Sequence, residues 1–220
     1  MSERDGFTIA AMALAAALSA ACLVVLGIRL SVSGERTYAF LAWNLFLAWI
    51  PLVLASLLPM WGRRWRWLVV PVLVSWLLFF PNAPYLLTDL IHLGDRPPGS
   101  PSIDLVMFPA FAVTGLLIGA ISLHLVHRAL AARHGARTAG LAVAACISLA
   151  GFGMYLGRVL QWNSWDMVTR PGSRVAALAD RFGDPLALAG ALTVSVGSAA
   201  CIAAAYLAYR SAADRFGGRA

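Results

Sequence analysis

Pro81-Asn82-Ala83-Pro84-Tyr85-Leu86-Leu87-Thr88-Asp89-Leu90-Ile91-His92 sets an amide, a phenol, a hydroxyl, a carboxylate and an imidazole where a long apolar run ends. Asp89 and His92 are side chains of the kind that exchange protons in general acid–base catalysis. The same Asp89-xx-His92 spacing could instead offer two donors to a metal, with Asp104 or Asp166 completing the shell. A second group follows another apolar run: Arg158, Gln161, Trp162, Asn163, Ser164, Trp165 and Asp166. Arg158 suits a phosphate or carboxylate, which a planar guanidinium grips through two parallel hydrogen bonds. Ser164 has no neighbouring base that would mark it as a nucleophile.

These groups must be positioned by a chain made for lipid. Its 220 residues are 60% hydrophobic and only 12% charged, with a mean hydropathy of +0.77. An ordinary soluble domain carries about 25% charged residues. The length suits one transmembrane domain over residues 1–220, built as an all-α helical bundle. The net charge of +7 rests on 17 basic residues, all arginine. They are scattered between apolar runs rather than gathered on one stripe, which argues against a nucleic-acid partner and for orientation on a membrane. Membrane lipids are then the expected partners. Cys22, Cys146 and Cys201 lie inside apolar runs without a CxxC pair, and read as buried and unreactive.

Hydropathy marks six apolar segments: 7–30, 39–60, 67–80, 105–127, 138–157 and 186–209. The first exceeds a signal-peptide core and lacks a basic front end, so a retained anchor is expected. Arg4, Arg63, Arg64, Arg66, Arg128, Arg133, Arg137, Arg210, Arg215 and Arg219 fall on one side of the bilayer. Arg29, Arg36, Arg96, Arg158, Arg170, Arg174 and Arg181 fall on the other. The richer loops are also the short ones, which predicts both termini on the cytoplasmic side of a bacterial inner membrane. Trp61, Trp65 and Trp67 would form the inner aromatic girdle, and Trp43, Trp162 and Trp165 the outer one. His124 and His127 then belong to the inner interface and His134 to a loop. A short interfacial helix is expected around Gly172–Arg181. The pairs Gly115-xxx-Gly119 and Gly153-xxx-Gly157 predict close approach between the fourth and fifth spans.

The third span is too short, since residues 67–80 cover about 21 Å against a hydrocarbon core of ~30 Å. Something after Pro81 must complete the crossing. Asn82 could cap a new helix with Pro84 in its first turn. On such a helix Tyr85, Asp89 and His92 share one face, with Thr88 beside them. That stripe fits either a capped interfacial helix facing water or a binding site, because a membrane-edge acid is costly without a partner. Asn44 and Asp104 reach the same outer level from other spans, and Asn44, Asn82, Tyr85, Thr88, Asp104, Gln161, Trp162, Asn163 and Trp165 are the candidate binding residues around Asp89, His92, Arg158 and Asp166.

Three strings carry a resemblance. Asn44-Leu45-Phe46-Leu47-Ala48-Trp49-Ile50-Pro51, then Phe79-Phe80-Pro81-Asn82-Ala83-Pro84-Tyr85 with Thr88-Asp89-Leu90, and Gly157-Arg158 with Trp162-Asn163-Ser164-Trp165-Asp166, resemble a bacterial integral-membrane family known as domain of unknown function 1361. The likeness covers about residues 40–170 and implies a multi-pass membrane protein without an assigned activity. In the family an aromatic often precedes the acid that matches Asp104, whereas this chain has Ile103. The expectation is therefore an outward-facing polar pocket that binds or processes a lipid-linked or amphipathic small molecule. The alternatives are a small permease, or a non-catalytic assembly or sensing partner. A permease is disfavoured, since no acid lies at the bilayer midplane. The sequence leaves catalysis, metal, cofactor, substrate and oligomeric state open.

Overall fold

The structure, a computed structural model, describes residues 3–33, 36–58, 66–94, 102–162 and 171–217. Helices α1 (Glu3–Ser33), α2 (Phe40–Leu57) and α3 (Arg66–Phe79) are followed by a single-turn α4 (Asn82–Tyr85) and a 3₁₀ segment, Thr88–Leu93. After these come α5 (Asp104–His134), α6 (Ala136–Arg158), the short α7 (Pro171–Phe182) and α8 (Pro185–Phe216). No strand occurs among the described residues. Six stretches are long and apolar enough to cross a membrane, the third running unbroken in hydropathy from Trp67 to Leu93 across the proline break. A helix satisfies its own backbone groups, which is what lets such runs persist in lipid. The protein is a multi-pass, all-α membrane bundle.

Helix α5 is the hub. It is the most buried of the spans and packs against α1, α2, α4, the 3₁₀ segment, α6 and α8. Interhelical bonds from side chains within the bundle tie the ring to it and to itself. Trp76 Nε1 donates to Ser122 Oγ at 2.8 Å, and Trp49 Nε1 to Ser19 Oγ at 3.1 Å. Both chain ends lie at one face, where Phe7 meets Tyr209 with ring centroids 5.7 Å apart and Arg128 bridges to Asp5. This terminal face also carries the sequence-predicted interfacial histidines: His127 is hydrogen-bonded to the Tyr206 hydroxyl, and His124 stands edge-on to Tyr209. The opposite face carries the break between α3 and α4, and is called the elbow face below. The short helix expected around Gly172–Arg181 is present as α7, whose Phe182 packs on Phe152 of α6.

The glycine pairs act differently from the expectation. A Cβ on Gly115 would run into the Ala83 carbonyl oxygen and the Leu86 side chain, and one on Gly119 would meet Ala83 at 3.4 Å. On α6, a Cβ on Gly153 would lie 2.9 Å from the Pro81 ring and one on Gly157 3.1 Å from the Tyr85 ring. The two pairs do not bring α5 and α6 onto each other. They form two walls that receive the elbow, because bulky proline and tyrosine rings fit a helix surface only where Cβ atoms are missing. The close approach of α6 is to α8, at Gly151 against Ser195 and Ala199.

Candidate functional site

The elbow itself explains how an acid enters the bundle. Pro81 and Pro84 cannot donate backbone hydrogen bonds, so the helix stops after Phe79 and leaves carbonyls without their usual partners. Asn82 Nδ2 answers the Phe79 carbonyl at 2.9 Å, and Thr88 Oγ1 answers the Tyr85 carbonyl at 2.7 Å. Asn82 is therefore not the N-terminal cap expected of it; it repairs the end of α3. Nor does a continuous α-helix carry the polar stripe. The chain makes one turn of α4 and then a 3₁₀ segment, in which residues three apart eclipse, so that Asp89 and His92 share one side.

That geometry buries Asp89, whose side chain is only 2% exposed. Its Oδ2 accepts a hydrogen bond from Asn44 Nδ2 of α2 at 3.0 Å. Its Oδ1 faces Nη1 of Arg158, the last residue of α6, at 3.5 Å. Three separate spans thus converge on one carboxylate, at the elbow face. The pair is asymmetric, since the arginine side chain is 23% exposed while the acid is sealed. Beyond Arg158 the backbone turns sharply. Gln161 adopts φ 55°, the one described non-glycine residue with a positive φ, and the Trp162 N–H returns to the Leu156 carbonyl at 3.0 Å. A left-handed non-glycine residue costs on the order of 1–3 kcal/mol and persists only where its surroundings hold it.

His92 is held by rings. Its imidazole sits 5.3 Å from Phe40 and 6.1 Å from Phe108, and Phe108 in turn meets Tyr38 edge-on at 5.0 Å. The hydrogen bond that Asp89 receives comes from Asn44, and the contacts of His92 are aromatic. Tyr85 packs its ring on Gly157 and is half-buried, which makes it a spacer between the elbow and α6. Gln161 is exposed and Trp162 half-buried at the end of the same turn. Asn163, Trp165 and Asp166 lie outside the described residues, as do Trp61 and Trp65 of the expected inner girdle.

Asp104 does not join this group. It is fully buried at the start of α5 and is locked to Arg29 of α1, with Nε to Oδ1 at 2.5 Å and Nη2 to Oδ2 at 3.3 Å. The Tyr38 ring lies 5.1 Å from the Arg29 guanidinium carbon. Both carboxylate oxygens are engaged and both side chains are buried. Sequence reasoning placed Arg29 among the loop charges and missed this pair. The available signal was an arginine one turn inside the end of the first span, with an acid opening the fourth. Among the described residues no three His, Cys, Asp or Glu side chains gather as a metal would require, and Asp104 is already committed elsewhere.

The sequence profile of a family described as protein of unknown function, DUF1361, matches residues 43–202. No curated protein and no solved structure matches the chain.

Proposed function

Because the chain belongs to the domain of unknown function 1361 family, which brings no activity with it, we propose its function from geometry: it holds the anionic headgroup of a lipid-linked or amphipathic small molecule at Arg158. One observation carries this reading. Arg158 is a cation at the edge of a membrane span, partly exposed, and its counter-charge Asp89 is sealed behind it on a broken, glycine-seated helix. Arg29, by contrast, is sealed with its acid and meets both carboxylate oxygens. A guanidinium that touches its carboxylate through a single nitrogen at 3.5 Å keeps donors for a second acceptor, and phosphate or carboxylate fits that fork. The strained Gln161 turn, three residues on, supports the reading, since such residues cluster where a chain is held for binding.

Asp89, itself held by the Asn44 amide, fixes the guanidinium, the apolar body of the bundle receives the tail, and any proton transfer to the bound headgroup falls to Asp89 or His92. The orientation we propose has both termini cytoplasmic and the elbow face outward. The sequence places seven arginines on the elbow side against ten on the terminal side, and Arg29 of the seven is sealed in an ion pair.

The test is mass spectrometry of the protein released gently from native membranes, wild type against Arg158→Gln and Asp89→Asn. An anionic amphiphile bound stoichiometrically to wild type and lost from both variants, with the fold retained, is the expected result. Equal occupancy in wild type and Arg158→Gln would remove the basis for the proposal.

A further inference from the structure

Beside the hub helix α5 lies an open seam between α1 and α8. The two helices meet at the terminal face, where Phe7 packs on Tyr209. The gap leaves a laterally open groove of about 480 Å³ over α5, walled by Phe7 and Leu14 of α1 and by Ala205 and Ala212 of α8, with Val113 and Leu117 of α5 as floor. Leu14 and Val113 are exposed, so part of the central helix looks out through the seam.

We propose that this seam seats one acyl chain of an anionic phospholipid from the leaflet at the terminal face. Three observations select that occupant. The groove spans Phe7 to Leu14 along α1, about 10 Å of helix axis, or two turns, which is about a third of the ~30 Å crossing that a partner's transmembrane helix would need to cover. Along its length the lining is hydrocarbon apart from the Tyr209 hydroxyl, which excludes a polar ligand. The third observation is charge. Arg128, Arg133, Arg137, Arg210 and Arg215 at the terminal face outnumber Asp5 and Asp214 there among the described residues. Arg128 reaches across to Asp5, two residues before Phe7, and so stands where a headgroup would emerge from the groove. An acyl chain against α5 completes the ring, and the excess arginine charge favours a phosphate with no compensating cation.

The experiment uses the full chain in nanodiscs of equimolar palmitoyl-oleoyl phosphatidylglycerol and phosphatidylcholine, read by native mass spectrometry after release. Wild type should keep one phospholipid per chain, with phosphatidylglycerol enriched at least fivefold over phosphatidylcholine. Ala208→Trp, which fills the groove, should lower retention at least tenfold; Leu207→Trp, on the adjacent exposed face of α8, should not, and controls for folding. Ala212→Leu is the milder version should the tryptophan fail to fold. Arg128→Gln should keep a bound lipid but bring the headgroup preference toward one. Unchanged retention in both Ala208→Trp and Ala212→Leu overturns the proposal. So does a wild-type dimer that Ala208→Trp splits, because a second copy would then cover the seam. Loss of the Arg158 ligand is scored with Arg158→Gln, so the two readings fail separately.

Discussion

Two arginine–aspartate pairs sit at the elbow face, and they are built to opposite ends. Arg29 and Asp104 are both sealed, meet through two nitrogens and two oxygens, and have Tyr38 against the guanidinium. Asp89 and Arg158 meet through one nitrogen at 3.5 Å, borrow Asn44 for the second carboxylate oxygen, and leave the cation partly exposed. The chemistry of the partners is the same. What differs is whether the positive group has spent its donors. The first pair fixes α1 against α5. The second sits on an interrupted helix and leaves its arginine partly exposed. Burial on both sides closes the first pair, and one-sided burial is what the ligand proposed at Arg158 rests on.

The largest effect should come from breaking the sealed pair. Asp104→Ala leaves Arg29 as a buried cation without its carboxylate, and loss of one member of such a pair costs about 3–5 kcal/mol. Unfolding in detergent, followed by circular dichroism, measures it. The double change Arg29→Met with Asp104→Leu should recover most of the loss, because well-packed apolar groups replace buried ion pairs at little cost. A double variant as unstable as the single one would show that the pair itself, and not the orphaned charge, sets stability.

A middle-sized effect belongs to the glycine walls that aim the second pair. Gly115→Ala drives a methyl into the Ala83 carbonyl and Leu86, and overpacking of this kind costs about 1–3 kcal/mol. Gly140→Ala is the matched comparison, since nothing lies within 4 Å of its would-be Cβ. That change should be neutral or stabilise by up to about 1 kcal/mol through helix propensity. Thermal midpoints of the two variants, taken side by side, decide whether the elbow is clamped. Equal midpoints would mean that it can slide aside.

The contrast between the two pairs also shows which physics a sequence exposes. Apolar runs report spans directly, and a run of only 67–80 followed by Pro81 and Pro84 reports a broken third crossing. That Asn44, Asp89 and Arg158 meet follows from topology once three spans end at the same face. The Arg29–Asp104 pair was hidden because hydropathy says how far along a helix a residue lies but not which way it points. Arg29 therefore looked like one more loop charge. The glycine pairs were visible, yet spacing alone cannot say which element fills the notch. Nothing local reveals that Phe40 and Phe108, distant in sequence, close on the His92 ring. The 3₁₀ segment after Leu87, which packs against α5, escaped notice for the same reason.

The smallest stability effect should be at Arg158, and that is what makes it diagnostic. Arg158→Gln leaves the sealed Asp89 carboxylate without its cation, but the contact is long and the glutamine amide can donate in its place, so the cost should fall at about 1–2 kcal/mol, below the sealed pair's penalty. Asp89 keeps its hydrogen bond from Asn44 in the variant, which limits the damage. Binding should behave in reverse: the headgroup ligand should be lost although the fold is kept. Arg158→Lys separates the two possible reasons. A lysine restores charge but not the planar fork, so it should recover the stability while leaving ligand occupancy reduced at least several-fold. Were lysine to restore both in full, the guanidinium geometry would be irrelevant and charge alone would account for the site. A loss of stability as large as that of Asp104→Ala would place Arg158 with Arg29 as a structural residue, and the distinction between the two pairs would collapse.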